Sequence, residues 1–268
     1  MEANLKARLI TALIGIPLLI GLIGWGDPWL FHGLFLLITL GALREYFAMG
    51  FPGRPRDQWI GIAFGLGVSS VVFFPQVTPG ELLLAPLVVL IFSTYVFMNG
   101  RLDERLARLA WTLLGSLYLG YLLPQWSSLF RLPHGRAWVF FVLVVILVGD
   151  TCAYFVGRRF GTKKLAPEIS PAKTVEGAIG YVLGSVSAGC LTGTSLAVGL
   201  SWVELAILSG LLSVLGQLGD LFESCIKRVF SVKDSGTLLP GHGGLLDRLD
   251  SLIFPAVFTT TYLKVFHP

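Results

Sequence analysis

Charged and sulfur-containing residues are scarce in this sequence. Asp, Glu, Lys and Arg make up only 13% of its 268 residues while apolar residues make up 54%, which excludes an ordinary water-soluble domain. Cys152, Cys190 and Cys225 are too few and too irregularly spaced for a disulfide framework or a zinc site. The sequence has no Walker-type phosphate loop and no basic run with interleaved aromatics, so neither a P-loop site nor a nucleic-acid partner is indicated.

Long apolar runs take the place of charge. Nine of them are candidate membrane spans, and most have the roughly 17–25 residues that a helix needs to cross the hydrocarbon. Barrel strands would be about ten residues long with alternating polarity. The sequence therefore predicts an all-α, polytopic integral membrane protein with about nine transmembrane helices: Leu9–Trp25, Trp29–Ala48, Trp59–Phe74, Leu82–Met98, Leu109–Phe130, Trp138–Phe155, Val175–Leu200, Trp202–Leu221 and Ser251–Phe266.

The positive charges predict how these helices are oriented. With a cytoplasmic N-terminus, seventeen Lys and Arg residues fall in cytoplasmic segments, and only Arg131, Arg136 and Lys264 fall on the other side. Positive residues accumulate in the cytoplasmic loops of membrane proteins. We therefore expect the N-terminus in the cytoplasm and the C-terminus on the opposite side, with most of the net charge of +4 serving orientation.

Polar residues divide the chain into two parts, although we expect one continuous membrane unit. Residues 1–130, with predicted spans one to five, carry almost no charge inside the apolar runs. Glu45 follows Arg44 at a helix end, where we expect a local ion pair. Residues 131–268, with spans six to nine and their cytoplasmic loops, contain the polar groups that chemistry requires. This C-terminal part is the predicted catalytic region.

Asp150 is isolated within an apolar run of the sixth predicted span. A carboxylate inside a membrane is costly, and by default it is a functional-site candidate that faces a polar cavity. A protonated or hydrogen-bonded structural aspartate is the alternative.

Residues 224–250 form the most polar window of the chain. They include four cations, three carboxylates, one histidine and four glycines, and they lie between two apolar runs. Glycines let the backbone approach a ligand closely or adopt positive φ. His242 has two interpretations. It donates a hydrogen bond to phosphate or acts as a general base, or else it is a loop histidine with a structural hydrogen bond. The glycines of the window are Gly236, Gly241, Gly243 and Gly244.

Helical spacing groups the carboxylates near this window. Asp220, Ser224 and Lys227 lie at i, i+4 and i+7 and so share one helix face. Asp247 and Asp250 repeat the i, i+3 spacing at the predicted start of the last helix. Carboxylate oxygens, with waters and substrate phosphates, are the ligands of Mg²⁺. The sequence therefore predicts a metal-dependent site for a phosphorylated substrate at the cytoplasmic membrane face, with cations as phosphate donors.

The segment Ser170–Gly177 predicts a helix N-terminus beside a cation. Pro171 suits the first turn of a helix, and Ser170 can act as its N-cap. With Lys173 close by, the backbone N–H groups of such a helix end form a natural phosphate site.

These segments resemble the CDP-diacylglycerol synthase (phosphatidate cytidylyltransferase) family. Its pattern runs S-x-apolar-K-R, four residues, K-D-x-small, then [PG]-x-H-G-G-apolar-x-D-R-apolar-D, and the window fills it without a gap or mismatch. The segments starting at Asp150 and at Ser170 also resemble the family, and only Val175, where many members carry an aromatic residue, departs from it. The matching residues of the window are Ser224, Lys227, Arg228, Lys233, Asp234, Gly236, Pro240, His242, Gly243, Gly244, Asp247, Arg248 and Asp250.

The resemblance implies transfer of a cytidylyl group from CTP to phosphatidic acid, which gives CDP-diacylglycerol and pyrophosphate. It implies an Mg²⁺-dependent nucleotidyltransferase of phospholipid biosynthesis, and it leaves open a second, monovalent ion. CTP, phosphatidic acid and membrane lipids are the expected partners. We expect a bacterial inner (plasma) membrane with the active site on the cytoplasmic face, and the oligomeric state stays open, a homodimer included.

Roles for individual residues follow as hypotheses from this resemblance. Asp150 is expected to line a polar cavity between helices. The catalytic candidates are Asp220, Lys227, Asp247, Arg248 and Asp250, and the metal candidates are Asp220, Glu223, Asp247 and Asp250. The substrate-binding candidates are Ser170, Lys173, Glu176, Ser224, Arg228, Lys233, Asp234, His242, Gly243 and Gly244.

Two other functions are compatible with some of these features. A CTP-dependent kinase acting on a polyprenol or diacylglycerol would use similar carboxylates and cations, but it would release CDP instead of pyrophosphate. A secondary transporter could use Asp150 and Asp220 as an ion site. Transporters of that kind usually have internal repeats and broken helices in corresponding halves, and the sequence shows neither.

Overall fold

The computed structural model describes residues 15, 17–76, 80–196, 198–238 and 243–267, which are predominantly helical. Residues 17–25 form a helix. The following helices are α1 (Pro28–Gly50), α2 (Pro55–Phe73), α3 (Gly80–Val96), α4 (Leu102–Gly115), α5 (Gln125–Arg131), α6 (Gly135–Phe160), α7 (Val175–Ser195), α8 (Trp202–Val229) and α9 (Asp250–Phe266). A π-helical segment, Ser116–Leu122, follows α4, and a 3₁₀ turn, Leu246–Arg248, precedes α9.

Five helical stretches among the described residues are long and apolar enough to cross a membrane: Pro28–Gly50, Leu102–Arg131, Gly135–Phe160, Val175–Ser195 and Trp202–Val229. Leu183 and Ile207 illustrate their surfaces, since these side chains are 64% and 59% exposed. Soluble proteins rarely expose large contiguous apolar patches. The described residues confirm a predominantly helical membrane protein, while the count of nine spans and the orientation of the termini stay predictions.

A short antiparallel hairpin, which the sequence did not predict, lies between two of the helices. Its strands are β1 (Lys164–Ala166) and β2 (Ser170–Thr174). Lys164 pairs with Thr174 and Ala166 with Ser170, with an irregularity between the two pairs. The hairpin links the end of α6 to the start of α7.

The chain divides into two compact units. Unit 1 comprises Met1–Ser128 and Asp234–Asp247. Its described core is rich in aromatic side chains, and Phe31, Tyr46 and Phe47 of α1 are fully buried. A Cβ atom on Gly61 of α2 would lie only 2.5 Å from the Phe47 ring, so glycine is what lets α1 and α2 pack closely.

Unit 2 comprises Leu129–Lys233 and Arg248–Pro268. Helix α7 packs against both α6 and α8, and α9 packs against α8. Small residues allow these close approaches, since a Cβ on Gly180 of α7 would lie 2.7 Å from Val156 of α6. Helix α8 begins with a capping box, in which the Ser201 side chain accepts from Glu204 N and the Glu204 carboxylate accepts from Ser201 N.

Candidate active site

A cavity of about 410 Å³ lies within unit 2, between α6, β2, α7 and α8. It combines carboxylates with cations, because Asp150, Asp220, Lys173 and Arg158 all line it. Apolar residues such as Leu165 complete its wall. The prediction that Asp150 lines a polar cavity between helices agrees with this position.

Asp220 and Lys173 form the shortest ion pair of the cavity. Lys173 Nζ lies 2.6 Å from Asp220 Oδ2, and the two side chains are 25% and 29% exposed. The Ser224 hydroxyl donates to Asp220 Oδ1 at 3.4 Å, which confirms that these two residues share one face of α8. An ion pair that reaches solvent is weak and exchangeable. Both partners are therefore available to a ligand that carries its own charges.

Two further carboxylates approach Asp220. Asp150 Oδ2 accepts a hydrogen bond of 3.3 Å from the Ser251 hydroxyl at the start of α9. Gly219 of α8 packs directly on the Asp250 backbone, where a Cβ atom would collide with it. Asp220 consequently repels both Asp150 and Asp250 electrostatically. Asp150 and Asp220 both line the cavity, and two like charges close together favour the binding of a cation.

Glu223 and Lys227 form a separate ion pair on α8. Lys227 Nζ lies 3.1 Å from Glu223 Oε1, and the Glu223 side chain is fully buried. A buried carboxylate requires such a partner, because an unpaired charge would be expensive away from water. The predicted metal-binding role of Glu223 and the predicted catalytic role of Lys227 stay predictions, and the structure places both charges inside the helix packing.

The predicted helix N-terminus at Ser170 is wrong. Ser170 begins strand β2, and the helix that follows starts five residues later, at Val175. Thr174 is its N-cap, since its hydroxyl accepts from Gly177 N at 3.1 Å. Pro171 is compatible with a strand at the edge of a two-stranded sheet, where no ladder donor is needed. Lys173 is therefore placed beside Asp220 by strand β2 and not by a helix N-terminus.

Two further predicted substrate-binding residues, Glu176 and Arg228, have contacts within unit 2. Glu176, in the first turn of α7, accepts from Thr162 N at 3.1 Å and from the Thr162 hydroxyl at 2.5 Å. Arg228 Nε donates to the carbonyl oxygen of Ile169 at 3.2 Å, which ties the end of α8 to the hairpin. These contacts hold the loops around the cavity in place, and direct contact of either residue with substrate stays a prediction.

In unit 1, Asp247 organises the polar loop, whose described residues are 234–238 and 243–247. Asp247 Oδ2 accepts from Ser235 N and from Gly244 N, each at 3.0 Å. Asp247 lies in the 3₁₀ turn, so the prediction that it starts the last helix is wrong, whereas Asp250 is the first residue of α9. Gly243 has a φ of 83°, in the left-handed region that favours glycine, as expected for a sharply bent loop.

Glu45 has a role that the sequence did not reveal. Its carboxylate accepts from Leu245 N and Leu246 N at 3.0 Å each and from the Ser235 hydroxyl at 3.2 Å. Among the described residues no cation lies within ion-pair distance of it, so the expected pair with Arg44 is wrong. The sequence signal that points to such a role is an acidic residue within a predicted membrane span, as for Asp150.

The remaining candidates divide by exposure. Lys233, Asp234 and Arg248 are exposed at the surface, where phosphate groups can reach them. His242, with Pro240 and Gly241, lies outside the described residues. Their predicted roles stay predictions.

A complete metal site is not preformed in the part of the chain that the structure describes. There, no three His, Cys, Asp or Glu side chains lie close enough together to hold an ion. Mg²⁺ does not require such a cage, because it commonly binds one or two carboxylates, several waters and the substrate phosphates. The oxygen donors Asp220 and Asp250 fit this ion, and Lys173 pairs with Asp220.

An apolar groove adjoins the cavity. It lies along α7 and α8, it is lined by side chains such as Val182, Val214 and Leu218, and its volume is about 330 Å³. Leu165, Ala178 and Gln217 line both the groove and the charged cavity. An amphiphilic ligand with an anionic head and an apolar tail matches this combination.

Comparison with known proteins extends these observations. A sequence model of the cytidylyltransferase family matches residues 6–266. A phosphatidate cytidylyltransferase of Bacillus subtilis (strain 168) is 39% identical over 280 residues, covering 98% of this chain and 99% of the relative. One of Pseudomonas aeruginosa is 35% identical over 262 residues, covering 92% and 93%. One of Brucella suis biovar 1 is 41% identical over 157 residues, covering 58% of each chain.

Proposed function

Because the chain belongs to the cytidylyltransferase family, we propose that it is a phosphatidate cytidylyltransferase, an enzyme of phospholipid biosynthesis. Its substrates are CTP and phosphatidic acid, and its products are CDP-diacylglycerol and pyrophosphate. The observation that carries the proposal is the charged cavity next to an apolar groove, which matches a lipid with a phosphate headgroup.

The lipid substrate binds across these two features. Lys173 and Arg158 line the cavity and are suited to hold the phosphate of phosphatidic acid. Acyl chains lie along the apolar groove of α7 and α8, where their burial is favourable. Phosphatidic acid enters sideways from the bilayer and keeps its chains in an apolar environment throughout.

The reaction is a displacement at phosphorus. An oxygen of the phosphatidate phosphate forms a bond to the α-phosphorus of CTP, and the bond from that phosphorus to the oxygen bridging to the β-phosphate breaks. Pyrophosphate leaves with the bonding electron pair. The attacking phosphate is already ionised near neutral pH, so no strong general base is required. Catalysis then consists of positioning and charge stabilisation.

Cations of the chain stabilise the charge that develops on the phosphate oxygens. Lys173 exchanges Asp220 for a substrate phosphate when ligands bind, which releases the carboxylate. Arg228, Lys233 and Arg248 are the proposed donors to the triphosphate of CTP. Their guanidinium and ammonium groups can follow the leaving pyrophosphate without any proton transfer.

We propose that Mg²⁺ is held in unit 2 by Asp220, with Asp250 as a further ligand, and that Asp247 of unit 1 is a separate candidate for a metal ligand. When bound, the ion supplies charge neutralisation at the phosphates. Asp247 suits this role because two backbone N–H groups orient its carboxylate, and hydrogen bonds to a ligating group fix its direction. Glu223 is left out of this set because it is fully buried with its charge balanced by Lys227.

The proposed topology has nine spans, a cytoplasmic N-terminus and an active site on the cytoplasmic face of a bacterial inner membrane. Contact between Glu45, near the end of α1, and Ser235, after α8, supports it. Two residues at the same membrane face must be separated by an even number of crossings. The six spans predicted between these residues satisfy that condition, and CTP is available on the cytoplasmic side.

The proposal is tested by measuring pyrophosphate release from CTP by the purified protein in detergent micelles with Mg²⁺. We expect release only when phosphatidic acid is present, together with formation of CDP-diacylglycerol. Release of CDP in the presence of a polyprenol or diacylglycerol would instead identify a lipid kinase. Absence of lipid-dependent pyrophosphate release from folded protein would refute the proposal.

A further inference from the structure

The contact between Glu45 and the polar loop is unusual for a buried carboxylate. Glu45 is only 7% exposed, and its hydrogen-bonding partners Ser235, Leu245 and Leu246 lie 190 to 201 residues further along the chain. Burying a carboxylate costs several kcal/mol unless hydrogen bonds replace its water. An apolar side chain at this position would avoid that cost, so the carboxylate serves the loop it binds.

Both carboxylate oxygens are used, and the loop is shaped to receive them. Oε1 accepts from Leu245 N, while Oε2 accepts from Leu246 N and from the Ser235 hydroxyl. Glycines provide the space: a Cβ on Gly236 would lie 2.6 Å from Glu45 Oε1, and one on Gly244 would lie 2.8 Å from Oε2. The close approach that the sequence assigned to a ligand is therefore made to a side chain of α1.

Ser235 connects this contact to the proposed chemistry. Its hydroxyl donates to Glu45, while its backbone N–H donates to Asp247. Gly244 and the 3₁₀ turn are held between the same two carboxylates. The loop that carries Asp247 is thus fixed from two directions, by its own aspartate and by a residue from the first described long helix.

We propose that Glu45 is a positioning residue for this loop: it holds residues 235 and 244–246 so that Asp247 is presented in one conformation. The inference rests on the proposed function, because the loop is catalytic only if the cytidylyl transfer is correct. Glu45 itself touches neither substrate nor the reacting atoms. Its effect on turnover passes through the backbone of the loop.

The test compares Glu45→Gln with Asp57→Asn. Asp57 is a matched control, because it is also a buried acid of unit 1, with a side-chain exposure of 5%, and pairs with Arg108 at 3.5 Å. A glutamine at position 45 keeps the size of the side chain but presents an NH₂ group to backbone donors. The loss of one or two buried hydrogen bonds corresponds to a roughly tenfold to hundredfold effect.

We expect Glu45→Gln to lower kcat for pyrophosphate release by that factor, with the KM for phosphatidic acid close to the wild-type value. Hydrogen exchange of the Leu245 and Leu246 amides should accelerate, while exchange within α7 stays unchanged. Asp57→Asn should lower the melting temperature but keep the kcat of the folded fraction and the slow exchange of the loop.

Two results would overturn the inference. One is unchanged loop exchange and unchanged kcat in Glu45→Gln. The other is a loss of activity in both variants that merely follows the loss of folded protein. A wild-type protein without CTP turnover would refute the proposed function instead, and the exchange measurement would still decide whether Glu45 anchors the loop.

Discussion

Glu45 and Asp220 are both carboxylates at the edges of apolar helices, yet their surroundings differ. Glu45 is 7% exposed and accepts from two backbone N–H groups and one hydroxyl. Asp220 has a side chain that is 29% exposed, and a single flexible ammonium group lies 2.6 Å from it. Backbone donors cannot leave, whereas a lysine can turn to a phosphate. The comparison separates a carboxylate that organises the protein from one that is available to a ligand.

The largest effect is expected at Asp220, whose ion pair with Lys173 can give way to a ligand. Asp220→Asn removes the charge that pairs with Lys173 and, in the proposed mechanism, with the metal. We expect kcat to fall by about 100- to 1,000-fold, the usual loss for a group that stabilises transition-state charge. The melting temperature should change little, because the side chain is partly exposed. Asp103→Asn, at an exposed surface pair with Arg101, is the matched control and should retain full activity.

Lys173→Gln tests the partner of that carboxylate. Hydrogen bonds to charged groups are worth about 1.5–3 kcal/mol, so kcat/KM should fall roughly 10- to 100-fold. The reason is the loss of a hydrogen-bond donor to the phosphate, and the KM for phosphatidic acid should rise. Lys173→Arg should recover part of the activity. An unchanged KM in Lys173→Gln would remove this lysine from the proposed headgroup site.

Ser235→Ala perturbs the contacts of Glu45 less than a substitution of Glu45 itself. It deletes one of the three hydrogen bonds to Glu45 and keeps the backbone donor to Asp247. Because the Leu245 and Leu246 amides still hold Glu45, only part of the effect of Glu45→Gln is expected, about 3- to 10-fold in kcat. The effect should not add to that of Glu45→Gln in the double variant. Full additivity would show that the two residues act separately.

The smallest effect is expected where the sequence-based prediction was wrong. Thr174→Val removes the N-cap of α7 and should lower the free energy of unfolding by about 1 kcal/mol. Ser170→Ala, at the predicted cap, should leave the melting temperature unchanged. Thermal unfolding in detergent measures both. The opposite ranking would contradict the hairpin that carries Lys173 to Asp220.

The helical membrane architecture could be predicted because hydrophobic length is a strong signal. The pairing of Ser224 with Asp220 could also be predicted, because it depends only on the period of one helix. The prediction for Ser170 and Pro171 is wrong because a serine followed by a proline can begin a strand as well as a helix. Tertiary pairing with Lys164–Ala166 decided between them, and local sequence does not contain it.

Glu45 could not be predicted for a related reason. Two of its three partners are backbone N–H groups, which every residue except proline carries, and the third is a serine hydroxyl 190 residues away, so no local pattern of side chains marks them. Arg44, the neighbouring cation, offered a local explanation that the structure does not support. The sequence indicates which residues are unusual in their environment, and the contacts of the folded chain decide what they do.

The distance along the chain between Glu45 and its loop also bears on how the protein is made. During synthesis α1 emerges and inserts long before residue 235 is made. The Glu45 carboxylate is therefore in place before its hydrogen-bond donors are synthesised. A fragment that begins at residue 129 would contain nearly all the titratable groups proposed for the chemistry, yet the amides of Leu245 and Leu246 would have lost their acceptor. The apolar first half therefore supplies a component of the active loop as well as membrane anchorage, and the two halves are expected to function only when expressed together.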